Sequence, residues 1–134
     1  MRYIGLDHGE KRIGLAVSDP LNLTAQSYPF IPNNTETTKA IEALLEEYET
    51  KQIILGLPKD LNGKDGLKAL EVRAFAEKLE TDLGAKITFI DERFSTKAVE
   101  RHLIAADVSR KKRKQVIDSQ AAAFILQGFL DGIS

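Results

Sequence analysis

The chain begins with two short apolar runs on either side of a polar turn, Tyr3-Ile4-Gly5-Leu6-Asp7-His8-Gly9-Glu10-Lys11-Arg12-Ile13-Gly14-Leu15-Ala16-Val17-Ser18. Apolar runs of this length around a Gly-containing charged tip are typical of a β-hairpin. Asp7 closes the first run, although Asp is depleted in strands. A carboxylate held against a sheet is costly unless it is paired or binds a metal. Asp7 therefore either caps the turn through its own backbone or has a partner elsewhere in the chain.

Size and composition predict one compact domain over residues 1–134, with 43% hydrophobic residues. Nineteen basic and twenty acidic side chains give a net charge of -1, so any signal for nucleic acid must be local. The lack of cysteine excludes thiolate catalysis and thiolate zinc sites, while His8 and His102 are too few for an all-His metal site. No signal peptide or membrane-spanning run is evident, so we expect a cytoplasmic protein without a membrane partner.

Strand and helix patterns alternate along the rest of the chain. A third strand near residues 27–31 contains Pro29, which cannot donate to a ladder and so predicts an edge strand. The later elements are a helix with Ile41, Leu44, Leu45 and Tyr48 on one face, a strand over 52–57, a helix ending at Gly84, a strand over 86–90, a helix beginning at Ser95 or Thr96, a basic loop, and a helix from about Gln115 to Leu130. Short turns join antiparallel strands and helices join parallel ones, which predicts an α/β fold with a mixed sheet flanked by helices.

A second acidic site follows the strand over 86–90. Asp91 and Glu92 lie at the end of this strand, which we place centrally in the sheet. Open α/β sheets present functional groups at such strand ends. Successive strand residues point to opposite faces, so only one of the two carboxylates can share the face of Asp7. The other would have a structural task, such as pairing with Arg93. The alternative for the whole group is a solvated turn.

Asp118 adds a third carboxylate at the head of an otherwise apolar helix face formed by Ala121, Ala122, Ile125 and Phe129. That face should pack on the sheet, although Asp118 could instead complement the helix dipole. Three converging carboxylates would repel one another unless a divalent cation lies between them. Oxygen ligands suit Mg²⁺ or Mn²⁺, and two such ions roughly 4 Å apart are a known device for phosphodiester cleavage.

Two further segments are candidates for contacts with a polyanion. Five of the nineteen basic residues are consecutive, from Arg110 to Lys114, and lie just before the helix that carries Asp118. Such a run is either a solvated face or a grip on nucleic acid. The loop from Gly56 to Lys64 has glycines, Lys59 and Asn62 that could contact phosphate, but it lacks the Walker spacing and could equally be a surface turn.

Four motifs together resemble the YqgF/RuvX family of pre-16S rRNA nucleases, also called Holliday junction resolvases. They are Asp7-x-Gly9-x-Lys11-Arg12-Ile13-Gly14-x-Ala16, Gly56-Leu57-Pro58 with Asn62-Gly63, Asp91-Glu92-Arg93-Phe94-Ser95-Thr96, and Asp118-Ser119-x-Ala121-Ala122. The resemblance spans nearly the whole chain. It implies a ribonuclease H-like fold with sheet order 3-2-1-4-5, a role in trimming the 5′ end of precursor 16S rRNA, and Asp7, Glu92 and Asp118 as catalytic metal ligands.

We therefore expect a Mg²⁺- or Mn²⁺-dependent nuclease whose partner is a structured nucleic acid, with precursor rRNA ahead of a DNA junction. The residues expected to hold this substrate are Lys11, Arg12, Lys59, Asn62, Arg93, Arg110, Lys111, Lys112, Arg113 and Lys114. The residues leave open whether the protein is a monomer or a homodimer.

Two other classes of protein share parts of this pattern. A strand ending in Asp-x-Gly before a hairpin also resembles the phosphate-binding loop of actin-like ATPases and sugar kinases. Those proteins bind nucleotide between two such domains, whereas this chain has the length of one. The remaining alternative is a non-catalytic nucleic-acid-binding module, and three well-placed carboxylates argue against it.

Overall fold

The computed structural model describes residues 1–59, 63, 65–92, 101 and 103–133, without the side chains of 116–119. Its elements in chain order are β1 (Ile4–His8), β2 (Arg12–Ser18), β3 (Ala25–Pro32), α1 (Thr37–Glu47), β4 (Gln52–Leu57), α2 (Leu67–Leu83), β5 (Lys86–Asp91) and α3 (Arg110–Ile133). Most of the helix expected from Ser95 or Thr96 lies outside the described residues. No helix within the described part of the chain is long and apolar enough to cross a membrane.

The five strands form one sheet in the order β3-β2-β1-β4-β5. β1, β2 and β3 are antiparallel, while β4 is parallel to both β1 and β5. The predicted mixed sheet and its order are confirmed, and β3 is the edge strand that Pro29 indicated. The central position expected for the strand before Asp91 is wrong. Each helical crossover adds its strand outside the previous one, so β5 forms the other edge and has β4 as its neighbour.

The sheet is buried on both faces. α1 and α2 cover one face, where side chains such as Leu6, Leu15 and Leu55 are buried, and α3 covers the other face. α3 approaches the sheet very closely at Gly5, because a Cβ atom there would lie 2.8 Å from Cβ of Leu126. This close contact fixes the distance between α3 and the strand that carries Asp7.

The basic segment expected to be a loop is instead the first part of α3. The Ser109 hydroxyl accepts a hydrogen bond from the backbone N–H of Lys112 at 3.2 Å, and its carbonyl accepts one from Arg113 at 2.9 Å. Lys and Arg are good helix formers, so a Ser followed by a basic run can start a helix as readily as it can form a loop. Gln120 has non-helical angles (φ -123, ψ 15) and divides α3 into two segments.

Candidate active site

Asp7 lies on the face of the sheet that α3 covers. In the β1–β2 pairing it is opposite Gly14, which has no side chain to fill the space beside it. A Cβ atom on Gly14 would lie 3.4 Å from Cβ of Asp7 and 3.6 Å from Cβ of Ala122 in α3. The carboxyl group of Asp7 therefore faces a gap between the end of the sheet and α3.

The structure brings Glu92, and not Asp91, to Asp7. Asp91 is in register with Leu57, whose side chain is buried on the α1–α2 face, so the next residue is directed toward the α3 face. The side chain of Glu92 is hydrogen-bonded to that of Asp7. Strand alternation left open which of the two carboxylates would share the face of Asp7, because this depends on the register of β5 against β4, and only the family resemblance named Glu92.

The carboxyl group of Glu92 holds its proton more tightly than an ordinary glutamate does. Burial, followed by the hydrogen bond to Asp7 and the negative charge of Asp7, raises the pKa of Glu92 from 4.5 to about 8, whereas the charge of Lys68 opposes this rise. Glu92 is therefore the donor in its hydrogen bond to Asp7. Two acidic side chains this close together mark a position where a cation would be favourable.

Gly56 makes the room that Glu92 occupies. A Cβ atom at this position in β4 would lie 2.6 Å from Oε1 of Glu92 and 2.5 Å from Cδ1 of Ile125. From the sequence, Gly56 was predicted only as part of a phosphate-contacting loop and of a family motif, and its packing against Glu92 was missed. The sequence did contain an indication of this packing, because a glycine inside an otherwise apolar strand often marks the close approach of another group.

Asp118 lies in the first segment of α3, and its side chain is outside the described residues. Ala122 and Ile125 are buried against the sheet, which confirms the packing face predicted for the second segment. The prediction assumed one continuous helix, whereas Gln120 interrupts α3 two residues after Asp118. Within the described side chains, no group of three or more His, Cys, Asp or Glu residues could hold a metal ion. The role of Asp118 as third ligand stays a prediction.

The residues predicted to hold substrate occupy different surroundings. Lys11 and Arg12 are exposed on the hairpin tip that follows Asp7. The Lys59 amine is instead held by Asp65 at 2.6 Å, and Asp65 also binds Arg73. This local pairing reduces the charge that Lys59 can offer to a phosphate. Asn62 and Arg93 lie outside the described residues.

The predicted basic segment, Arg110 to Lys114, occupies the first turns of α3. Four of its five side chains are exposed, and the guanidinium of the half-buried Arg113 donates to the carbonyl of Val108 at 2.8 Å. Cations are unfavourable at a helix N-terminus, where the helix dipole is positive. This helix end and its side chains together form a strongly positive surface.

The sheet order, with carboxylates at the ends of β1 and β5 and a helix across them, defines a ribonuclease H-like fold. The chain belongs to the RuvX family, since the family model described as "RuvX: Holliday junction resolvase" matches residues 1–132. Both the predicted family and the predicted fold are thereby confirmed.

Two relatives illustrate how closely the family matches. A protein of Desulfitobacterium hafniense (strain DSM 10664 / DCB-2) is 48% identical over 133 residues, covering 99% of this chain and 94% of the relative. A protein of Geobacillus kaustophilus is 49% identical, covering 98% of each chain. Both carry the name "Putative pre-16S rRNA nuclease".

Solved structures share the fold at low sequence identity. RuvC of Thermus thermophilus in complex with a Holliday junction substrate has a TM-score of 0.55 at 14% identity, covering 93% of this chain and 91% of that one. The fowlpox virus Holliday junction resolvase has a TM-score of 0.51 at 14% identity, covering 98% and 99%. At these identities the likeness establishes the fold alone.

Proposed function

We propose that this chain is a divalent-cation-dependent nuclease that hydrolyses phosphodiester bonds in a structured nucleic acid, with Asp7, Glu92 and Asp118 as its metal ligands. The observation that carries the proposal is the hydrogen bond between Glu92 and Asp7 at the end of the sheet. Two acidic groups from distant strands would repel one another if both were charged, and a proton between them relieves this repulsion. A cation that replaces the proton would relieve it further.

The residues fit Mg²⁺ or Mn²⁺. Carboxylate oxygens are the ligands that both ions prefer, and the gap over Gly56 lets Glu92 reach Asp7. When bound, such a cation lowers the pKa of a water molecule and stabilises charge on the phosphate oxygens. Asp7, on β1, would hold one side of such a cation. Glu92, at the end of β5, would hold the other side in its ionised form.

The names of the relatives support precursor 16S rRNA as the substrate, and the family resemblance adds cleavage near its 5′ end. These relatives are 48–49% identical over almost the whole chain. The basic first turns of α3 add a physical argument, since their charges oppose the helix dipole and have no acidic residue beside them in the first turn. A polyanion would balance them. A four-way DNA junction is the second candidate, favoured by the description of the family model. The cytoplasmic location stays a prediction.

Cleavage assays test this proposal directly. Purified protein would be incubated side by side with precursor 16S rRNA 5′ ends and with four-way DNA junctions, in Mg²⁺ and in Mn²⁺. Asp7→Asn should abolish cleavage and weaken Mn²⁺ binding in calorimetry, while its circular dichroism stays that of the wild type. Asp82→Asn, on the exposed face of α2, is the matched control and should behave like the wild type. Full activity in Asp7→Asn would refute the nuclease assignment.

A further inference from the structure

The edge strand β3 is irregular beside Asp7. Its pairing with β2 shifts at Gly14, so that two residues, Pro29 and Phe30, lie opposite this one glycine. Such a β-bulge redirects side chains and is frequent next to active sites. In regular alternation Phe30 would share the face of Tyr28, which packs against the core under α1. The bulge instead turns Phe30 toward the opposite face of the sheet.

Phe30 consequently lies on the same face as the carboxyl pair. A Cβ atom on Gly14 would be 3.4 Å from Cε1 of Phe30 and 3.4 Å from Cβ of Asp7. The missing side chain of Gly14 thus makes room for both groups. The aromatic ring and the proposed metal ligand are neighbours across a single residue of β2.

The ring of Phe30 remains accessible and has a cation over it. Phe30 is 36% exposed, and the guanidinium carbon of Arg12 lies 4.7 Å from the ring centroid. A single exposed apolar side chain is ordinary on a protein surface. Here the bulge, the facing glycine and the stacked arginine coincide at one position beside Asp7. Together they place an accessible aromatic ring and one positive charge beside Asp7.

We propose that Arg12 and Phe30, the stacked pair, bind an unpaired nucleobase of the strand whose phosphate lies at Asp7 and Glu92. The inference rests on the proposed function and adds a substrate class to it, namely a nucleic acid that is single-stranded next to the cleaved bond. Aromatic rings and guanidinium planes stack on any exposed base, whereas in a continuous duplex both faces of each base are covered by its neighbours. The charge of Arg12 also attracts the adjoining phosphate.

Two RNA hairpins with the same stem test the stacked pair. One has a single-stranded 5′ extension containing 2-aminopurine, and the other has a blunt end. Dissociation constants would be measured by fluorescence anisotropy in EDTA, where no cleavage is expected. Phe30→Leu should weaken binding of the extended hairpin by roughly 5- to 150-fold, the range for loss of one base–aromatic stack, and leave the blunt hairpin unchanged. Quenching of 2-aminopurine by the wild type should disappear in Phe30→Leu and return in Phe30→Trp.

Leu23→Ala, at an exposed apolar residue before β3, is the control and should leave both constants unchanged. If Phe30→Leu loses affinity equally for the two hairpins, or for neither, the proposal that the stacked pair binds an unpaired base is refuted. The assay is independent of cleavage, so the two proposals can fail separately. If Phe30→Leu loses affinity only for the extended hairpin and the wild type cleaves no substrate, the stacking proposal stands and the nuclease proposal is refuted. If cleavage needs Asp7 and Phe30→Leu keeps the hairpin preference of the wild type, the nuclease proposal stands and the stacking proposal is refuted.

Discussion

Replacing Asp7 with Asn should make the cation-free protein more resistant to unfolding as the pH rises. In the wild type, Glu92 has a pKa of about 8 in the folded state, against 4.5 for the ordinary group. Between these values the folded protein binds more protons than the unfolded chain does. The contribution of this group to stability is therefore fully present below about pH 4.5 and is lost as the pH rises toward 8.

The size of the effect follows from the pKa. Stability should fall by about 1.4 kcal/mol for each pH unit in this window, or by about 3 kcal/mol between pH 4.5 and pH 7. Burial, the largest cause of the raised pKa, remains in Asp7→Asn, while the negative charge beside Glu92 is removed. Between pH 4.5 and pH 7, we therefore expect the free energy of unfolding to fall by roughly 1–2 kcal/mol less in the variant than in the wild type.

Urea unfolding followed by circular dichroism, in EDTA at several pH values between about 5 and 8, measures this difference. Glu92→Gln should remove this part of the pH dependence altogether. Glu42→Gln, on the exposed side of α1, is the control and should parallel the wild type. If the curves of stability against pH for Asp7→Asn and the wild type run parallel, the reasoning that Asp7 raises the pKa of Glu92 is refuted.

Further substitutions test the packing and the substrate surface. Gly56→Ala should still fold, with a free energy of unfolding lowered by roughly 1 kcal/mol, but it should lose Mn²⁺ binding because its methyl group would displace the Glu92 carboxyl. Mn²⁺ binding equal to that of the wild type in calorimetry would contradict this. Gly5→Ala should lower the free energy of urea unfolding by roughly 1–3 kcal/mol because it pushes α3 off the sheet, and a neutral result would show that α3 can shift. Combining Glu92→Gln with Asp118→Asn should reduce the cleavage rate far less than the product of the single effects, and independent effects would separate the two sites. Replacing Lys111, Lys112 and Arg113 with Gln should reduce the slope of log affinity against log salt by roughly 0.7–0.9 per phosphate contact removed, and an unchanged slope would mark the run as a solvated face.

Local sequence patterns determined much of this fold. The hairpin around Asp7, the proline on β3, the glycine after α2 and the apolar stripe of α3 each report on a few neighbouring residues. Rules for connecting strands turned these local elements into a mixed sheet without further information. The motifs, taken together along the chain, also identified the family and with it the candidate carboxylates.

The tertiary structure decided what depends on register and on space. The alternation of side chains along β5 predicts that Asp91 and Glu92 face opposite sides of the sheet, but only the pairing with β4 decides which of them lies next to Asp7. The gap at Gly56 and the bulge that turns Phe30 toward Asp7 likewise arise between strands far apart in the chain. The raised pKa of Glu92 follows from burial and from a charge delivered by another strand. Such properties depend on distances across the sheet, and a one-dimensional pattern contains the residues but not these distances.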